Sequence, residues 1–136
     1  MSQPPCTAPA LRGAGLLSFA RASMPLGFSH LTADFLGVAP VQLRDTGLIS
    51  GLMIAAAGAA GFKSIGAPSV RTLPDEGVAG WLQLDDCHMS VHAFPARQLL
   101  LLDVLSHATH DGRKALDVFA RRLPAREVRS EQRQRG

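Results

Sequence analysis

The residues best equipped for chemistry crowd into one stretch, Asp85-Asp86-Cys87-His88-Met89-Ser90-Val91-His92, which holds one of two cysteines and two of five histidines. A thiol can act as a nucleophile or a metal ligand. Its reactivity follows its pKa, which neighbouring carboxylates raise and an imidazolium lowers. The plain alternative is that Cys87 is a small buried hydrophobe, as most free cysteines are. His88 and His92 are four apart, a ligand spacing on a helix. The Ser, Val and Pro around them indicate a strand, where 88, 90 and 92 share one face and are too spread for a chelate. Downstream, His107 and His110 add donors. A Cys87–His92–His107 cluster would hold zinc only if the fold gathered it. With no CxxC or HExxH pattern, no metal is expected. No GxxxxGK[ST], GxGxxG or GxSxG motif is present, and a thiol-protease reading has the ingredients but no flanking signature.

The elements that must carry these groups alternate along the chain. "FSHLTADFLGV" is a first strand closed by Gly37. From Pro40 to Ala60 the spacing of Leu48, Leu52, Ala55, Ala56 and Ala59 predicts a helix, stopped at Gly61. "FKSIGAPSVRTL" breaks into two strand-like pieces and "PDEG" is a turn. "VAGWLQL", "HMSVHAF" and "QLLLLDVLSH" are strands at hairpin-length gaps. Asp111 can cap a helix whose Leu116, Phe119 and Ala120 share a face. This order predicts an α+β fold, a two-layer sandwich of an antiparallel sheet with helices on one face. Residues 1–26 read as a flexible extension and 27–136 as the folded domain.

Composition narrows the function classes. At 136 residues, 46% hydrophobic and 18% charged, the chain is a globular single domain rather than a disordered one. Six arginines lie in "RRLPAREVRSEQRQRG", so most of the net charge of +3 comes from the C-terminal end. No aromatic residue is interleaved there to stack on bases, so a solvated segment is favoured and no nucleic-acid partner is expected. Cys6 and Cys87 read as reduced thiols of a cytoplasmic protein. The apolar run near the N-terminus is too short for an export signal, and no segment reaches membrane-spanning length.

The run "PDEGVAGWLQLDDCHMSVHAFP" resembles the self-cleavage region of the bacterial S-adenosylmethionine decarboxylases, whose pattern is close to E-S-H-x-S-x-H-T-W-P-E. "GFSHLTADFLGV" is similar to the family's opening strand, "LLLLDVLSHA" to its V-D-V-F-T-C-G strand, and "EVRSEQRQRG" to its last strand. The resemblance implies the S-adenosylmethionine decarboxylase-like sandwich over residues 27–136, a homodimer, and a self-cleaving proenzyme. In that chemistry a serine attacks the preceding carbonyl and the chain breaks. The new N-terminus becomes a pyruvoyl group, whose carbonyl forms a Schiff base with the substrate amine in place of pyridoxal phosphate.

Carried over residue by residue, the resemblance puts the cleavage between Asp86 and Cys87 and derives the pyruvoyl from Cys87. It makes His92 the processing histidine. Cys87 replaces the serine and Asp86 the glutamate before it. His107 replaces the proton-donating cysteine, a role an imidazole can fill. Ala79 replaces a serine that assists processing. The substrate-binding positions fall on Leu73, Phe94 and Ala96, where the family has an aromatic, the Trp and the Glu of Trp-Pro-Glu. The implied activity is decarboxylation of S-adenosylmethionine for polyamine (spermidine) synthesis. The alternatives are a smaller amino-acid substrate such as ornithine or arginine, a non-processing dimer partner of the same fold, or a thiol or metal site.

Overall fold

The computed structural model describes residues 27–136, so the expected extension over 1–26 and Cys6 lie outside the described residues. The elements are β1 (Phe28–Leu36), α1 (Pro40–Leu43), α2 (Thr46–Ala60), β2 (Ser69–Thr72), β3 (Val78–Gln83), β4 (His88–Phe94), β5 (Leu99–His107), α3 (Gly112–Arg122) and β6 (Glu127–Arg135), with a 3-10 turn at Pro95–Arg97 between β4 and β5. The strands form a six-stranded sheet in the order β2-β3-β4-β5-β1-β6, antiparallel throughout. Helices cover one face. The α+β two-layer sandwich expected from the sequence is the fold observed.

Alternation within the strands explains the two layers. Along β1, Leu31, Ala33 and Phe35 are buried while their neighbours are half-exposed. Met89, Val91 and Ala93 in β4, and Leu100, Leu102 and Val104 in β5, continue the same apolar face. Side chains two apart in a strand share a face, so this one surface can take the helices. Helix α2 presents Ile49, Leu52, Met53, Ala56, Ala57 and Ala60, and α3 presents Ala115, Leu116, Val118 and Phe119. Phe119 meets Phe35 of the sheet with ring centroids 6.2 Å apart. At Gly80 a β-carbon would stand 2.9 Å from Met53 Sδ, so this glycine lets α2 lie close on β3.

Several expectations need correction. The helix over 40–60 is two helices, because Asp45 leaves helical geometry to cap α2, its carboxylate accepting from the Leu48 N–H at 2.9 Å. Ala59 and Ala120 are exposed. Alanine is small enough to sit on either side of a helix, so it marks a buried face poorly. Residues 62–68 form no strand beyond an isolated bridge from Ser64 to Leu84. The basic end is β6, paired with β1 along its whole length yet exposed at every residue. Gly61 does end α2 in the left-handed region at φ 75°, and Asp111 does cap α3. Among the described residues no helix is long and apolar enough to cross a membrane.

Candidate active site

The link between β3 and β4 is a tight hairpin tip. The Leu84 N–H donates to the Cys87 carbonyl at 3.0 Å, leaving Asp85 and Asp86 at the turn. The Gln83 side-chain amide clamps it, donating to the carbonyls of Leu84 at 2.9 Å and Cys87 at 3.1 Å. The Asp86–Cys87 peptide bond therefore lies where the sheet ladder is interrupted. Leu84 and Cys87 turn towards the helices, leaving the Cys87 side 4 % exposed, while Asp85 and Asp86 face water.

The β4–β5 register decides what meets this tip. His88 pairs with Leu105, so two residues further out position 86 falls opposite position 107. His107 Nε2 lies 2.8 Å and 3.0 Å from the two Asp86 carboxylate oxygens. The Cys87 thiol donates to Asp86 Oδ1 at 3.6 Å. Ligand atoms of Asp86, Cys87 and His107 all lie within 4.8 Å of one another. Phe28 stacks on the His107 ring at 5.0 Å between centroids, which fixes the plane of the imidazole. A shallow cavity opens beside the group, lined also by Phe62, Lys63, Ser106 and His110. Burial first, then the hydrogen bond and charge of Asp86, and last the charge of Asp85, push the thiol pKa above its ordinary value of 9.0. The sulfur is thus protonated at neutral pH, and its deprotonation needs a base or a cation.

His92 is elsewhere. It is exposed on the sheet face that carries no helices, where it pairs across the ladder with Ala79. Five residues of strand separate it from Cys87, roughly 16 Å. Phe94 shares that face and stacks against His92 at 6.3 Å, with the Arg97 guanidinium 5.9 Å over its ring. Ala96 follows in the 3-10 turn and Leu73 in the β2–β3 loop. Of the residues singled out in the sequence, the fold unites Asp86, Cys87 and His107. It sets Ala79, His92, Phe94, Ala96 and Leu73 apart from them, so the Cys87–His92–His107 cluster is not assembled within the chain. Phe28, Phe62 and Lys63 were missed as neighbours of the site. Their proximity comes from strand register and from the exit of α2, which no local pattern encodes.

A two-layer α+β sandwich with a nucleophile, an acid and an imidazole at a hairpin tip defines the class of protein. The family described as S-adenosylmethionine decarboxylase matches residues 29–136, and the chain belongs to that family. It is 32% identical over 74 residues to an S-adenosylmethionine decarboxylase proenzyme of Symbiobacterium thermophilum, a stretch covering 54% of this chain and 55% of that protein. The chain thus matches about half the length of this relative. Its fold is similar to that of the adenosylmethionine decarboxylase from Aquifex aeolicus VF5, with a TM-score of 0.74 at 22% identity, covering 83% of this chain and 93% of the other.

Proposed function

We propose that the chain is a self-cleaving proenzyme that matures into a pyruvoyl-dependent decarboxylase. Its substrate class is an amino acid bearing a primary α-amine, with S-adenosylmethionine first and ornithine or arginine next, and its place is polyamine (spermidine) synthesis. The observation that carries the reading is the hairpin-tip placement of the Asp86–Cys87 bond, with His107 held against it by Asp86.

In this reading Cys87 Sγ attacks the Asp86 carbonyl, and the amide nitrogen leaves as an amine to give a thioester. Loss of the Cys87 α-proton then breaks the Cβ–S bond. The sulfur departs with Asp86 as a thiocarboxylate, and position 87 becomes a dehydroalanine. Tautomerisation and addition of water release ammonia and leave the pyruvoyl group. The residues present fit such a group, because position 87 borders a cavity and His107 stands at its side. A pyruvoyl group held there, beside His107, would supply the electron sink for decarboxylation. The His107 ring would donate a proton to the substrate carbon, held at Nε2 by Asp86 and stacked on Phe28. Localisation in the cytoplasm, where thiols stay reduced, belongs to the same proposal.

The proposal includes a homodimer. His92 is out of reach of its own Cys87, so its processing role requires a second copy. A two-fold axis on the open face would bring His92 and Phe94 of one protomer over the hairpin tip of its partner, where the Asp86–Cys87 bond and His107 stand. Exposed Trp81 and Leu101 on that face, 45% and 36% accessible, supply apolar surface to bury. The remodelled Leu73, Phe94 and Ala96 would then line the pocket from the partner's side. Ala96 offers no carboxylate to hold a polar substrate group, which favours assaying ornithine and arginine beside S-adenosylmethionine.

Intact-mass analysis tests the cleavage. Fragments 1–86 and 87–136 are expected, the first ending in a thiocarboxylate or its hydrolysed carboxylate and the second blocked at its N-terminus. Mixing tests the shared site. Cys87→Ala and His92→Ala chains, each uncut alone, should yield cut product when co-expressed, from the copy that keeps Cys87. Persistently whole wild-type chain would leave a non-processing dimer partner as the function, and no product from the mixture would reject the sharing of His92 between copies.

A further inference from the structure

Among the departures from the decarboxylase pattern, Cys87 introduces a soft ligand where the family has serine, His107 exchanges one transition-metal ligand type for another, and the fold brings them together with a carboxylate. We propose that the uncut chain binds one zinc-type divalent cation through Cys87 Sγ, His107 Nε2 and the Asp86 carboxylate, with the fourth position open to solvent.

The geometry is close to what such a site needs. Zinc–ligand bonds of about 2.0–2.3 Å in a tetrahedron put neighbouring donor atoms roughly 3.3–3.8 Å apart. The sulfur already lies 3.6 Å from Asp86 Oδ1. The imidazole nitrogen, at 2.8 Å from the same oxygen, has to open by about half an ångström, and the sulfur and imidazole nitrogen, which lie within 4.8 Å of each other, have to settle at about 3.6 Å. Phe28 fixes the imidazole plane and the Gln83 clamp fixes the turn, so two supports are built before an ion arrives. Charge favours the ion too. Asp85 and Asp86 precede the sulfur in the chain and surround it with negative charge. A cation displaces the thiol proton to solvent and forms a sulfur–metal bond in its place. Lys63 is the cation in the cavity lining, and it is exposed. The donor mixture of thiolate, imidazole and carboxylate suits zinc over magnesium or calcium.

Binding does not depend on the decarboxylase reading. Where both hold, the ion occupies the sulfur lone pair that would attack the Asp86 carbonyl, and the cation becomes an inhibitor of self-cleavage.

The test uses untagged, uncut full-length protein, taken directly or, if the wild type cuts itself during purification, as His92→Ala, which leaves all three ligands in place. Competition against a chromophoric zinc chelator should give one zinc per chain. Cobalt(II) should give an intense thiolate-to-metal charge-transfer band in the near ultraviolet. Cys87→Ala should abolish the band and His107→Ala should weaken binding by about tenfold or more. His110→Ala, which lines the cavity without belonging to the ligand set, should change neither. Far-ultraviolet circular dichroism without metal establishes that each variant is folded, and Cys87→Ser in the His92→Ala chain, closer in size to the native residue, replaces any Cys87→Ala preparation that is not. Absence of the cobalt band, or zinc binding that survives loss of Cys87, overturns the proposal. Cleavage followed separately by mass, with and without zinc, reports on the enzyme reading alone: a chain that binds zinc and never cuts rejects that reading and keeps the site.

Discussion

The two ends of β4 carry titratable groups of opposite character. At its start Asp86, Cys87 and His107 are tied to one another, the sulfur turned inwards and the imidazole pinned between a carboxylate and Phe28. At its far end His92 and Phe94 stand on the uncovered face beside Ala79, bound by ring stacking and ladder pairing only. One end holds a nucleophile and its partners complete. The other presents groups that meet no nucleophile among the described residues. In a strand, residues an odd number apart point to opposite faces, so the five-residue spacing from Cys87 to His92 separates them by face as well as by distance. In the dimer proposed above, that separation is what a role for His92 in a second copy requires.

The sharpest way to break this contrast is all-or-none. Cys87→Ala must abolish cleavage of its own chain whatever partner it meets, because the attacking atom is gone. His92→Ala must be rescued by a partner that keeps His92. If His92→Ala chains cut themselves normally when alone, the far end has no part in processing and the two ends are functionally independent.

A second test measures the first end against pH. Attack by sulfur needs the thiolate, and the thiol pKa is raised above 9.0. The cleavage rate should therefore climb about tenfold per pH unit through the neutral and mildly alkaline range, as the thiolate fraction does. The same shift acts on stability with the opposite sign. The folded state holds the thiol proton more tightly than the unfolded state, so the stabilisation is complete below the unfolded value. It is lost as pH rises through that value towards the folded one. Denaturant melts should show this loss in the uncut His92→Ala chain and not in the same chain carrying Cys87→Ser, whose hydroxyl does not titrate in this range. A cleavage rate flat across that range would mean the thiol is deprotonated by a neighbour within the site.

The far end is tested by restoring what its sequence lacks. Ala79→Ser returns a hydroxyl beside His92, its partner in the β3–β4 ladder. One hydrogen bond of about 1 kcal/mol made in the transition state corresponds to a several-fold faster cleavage. Gel densitometry over a time course reads it directly. No change would indicate that Cys87, rather than the missing hydroxyl, sets the rate.

Much of the fold was legible because it depends on local alternation. β1, β3, β4 and β5 stand where their apolar periods put them, and Gly61 and Asp111 mark helix ends through their own backbone chemistry. Half of the site was also legible. The opposite facing of Cys87 and His92 follows from counting residues, although a resemblance alone suggests they act in one place. The approach of His107 to Asp86 could not be read, since it rests on a register set across the Pro95–Arg97 turn and twenty-one residues of chain. The exposed Ala59 and Ala120 went astray for an energetic reason: an alanine gains too little from burial to fix a helix's rotation.

The smallest expected effect asks whether either end depends on the helical layer. Asp45 caps α2 through the Leu48 N–H, and its replacement by alanine should cost about 1 kcal/mol of global stability, read as a shifted urea midpoint with unchanged slope. The cap lies at the start of a fifteen-residue helix whose other end leads into Phe62 and Lys63 of the cavity. That is roughly 22 Å of helix, and loss of a cap frays its own terminus first. Cleavage at Asp86–Cys87 should therefore be unaltered in the Asp45→Ala chain. If cleavage slows in step with the lost stability, the hairpin tip is held in place by α2, and the near end is less self-contained than its contacts with Asp86 and His107 imply.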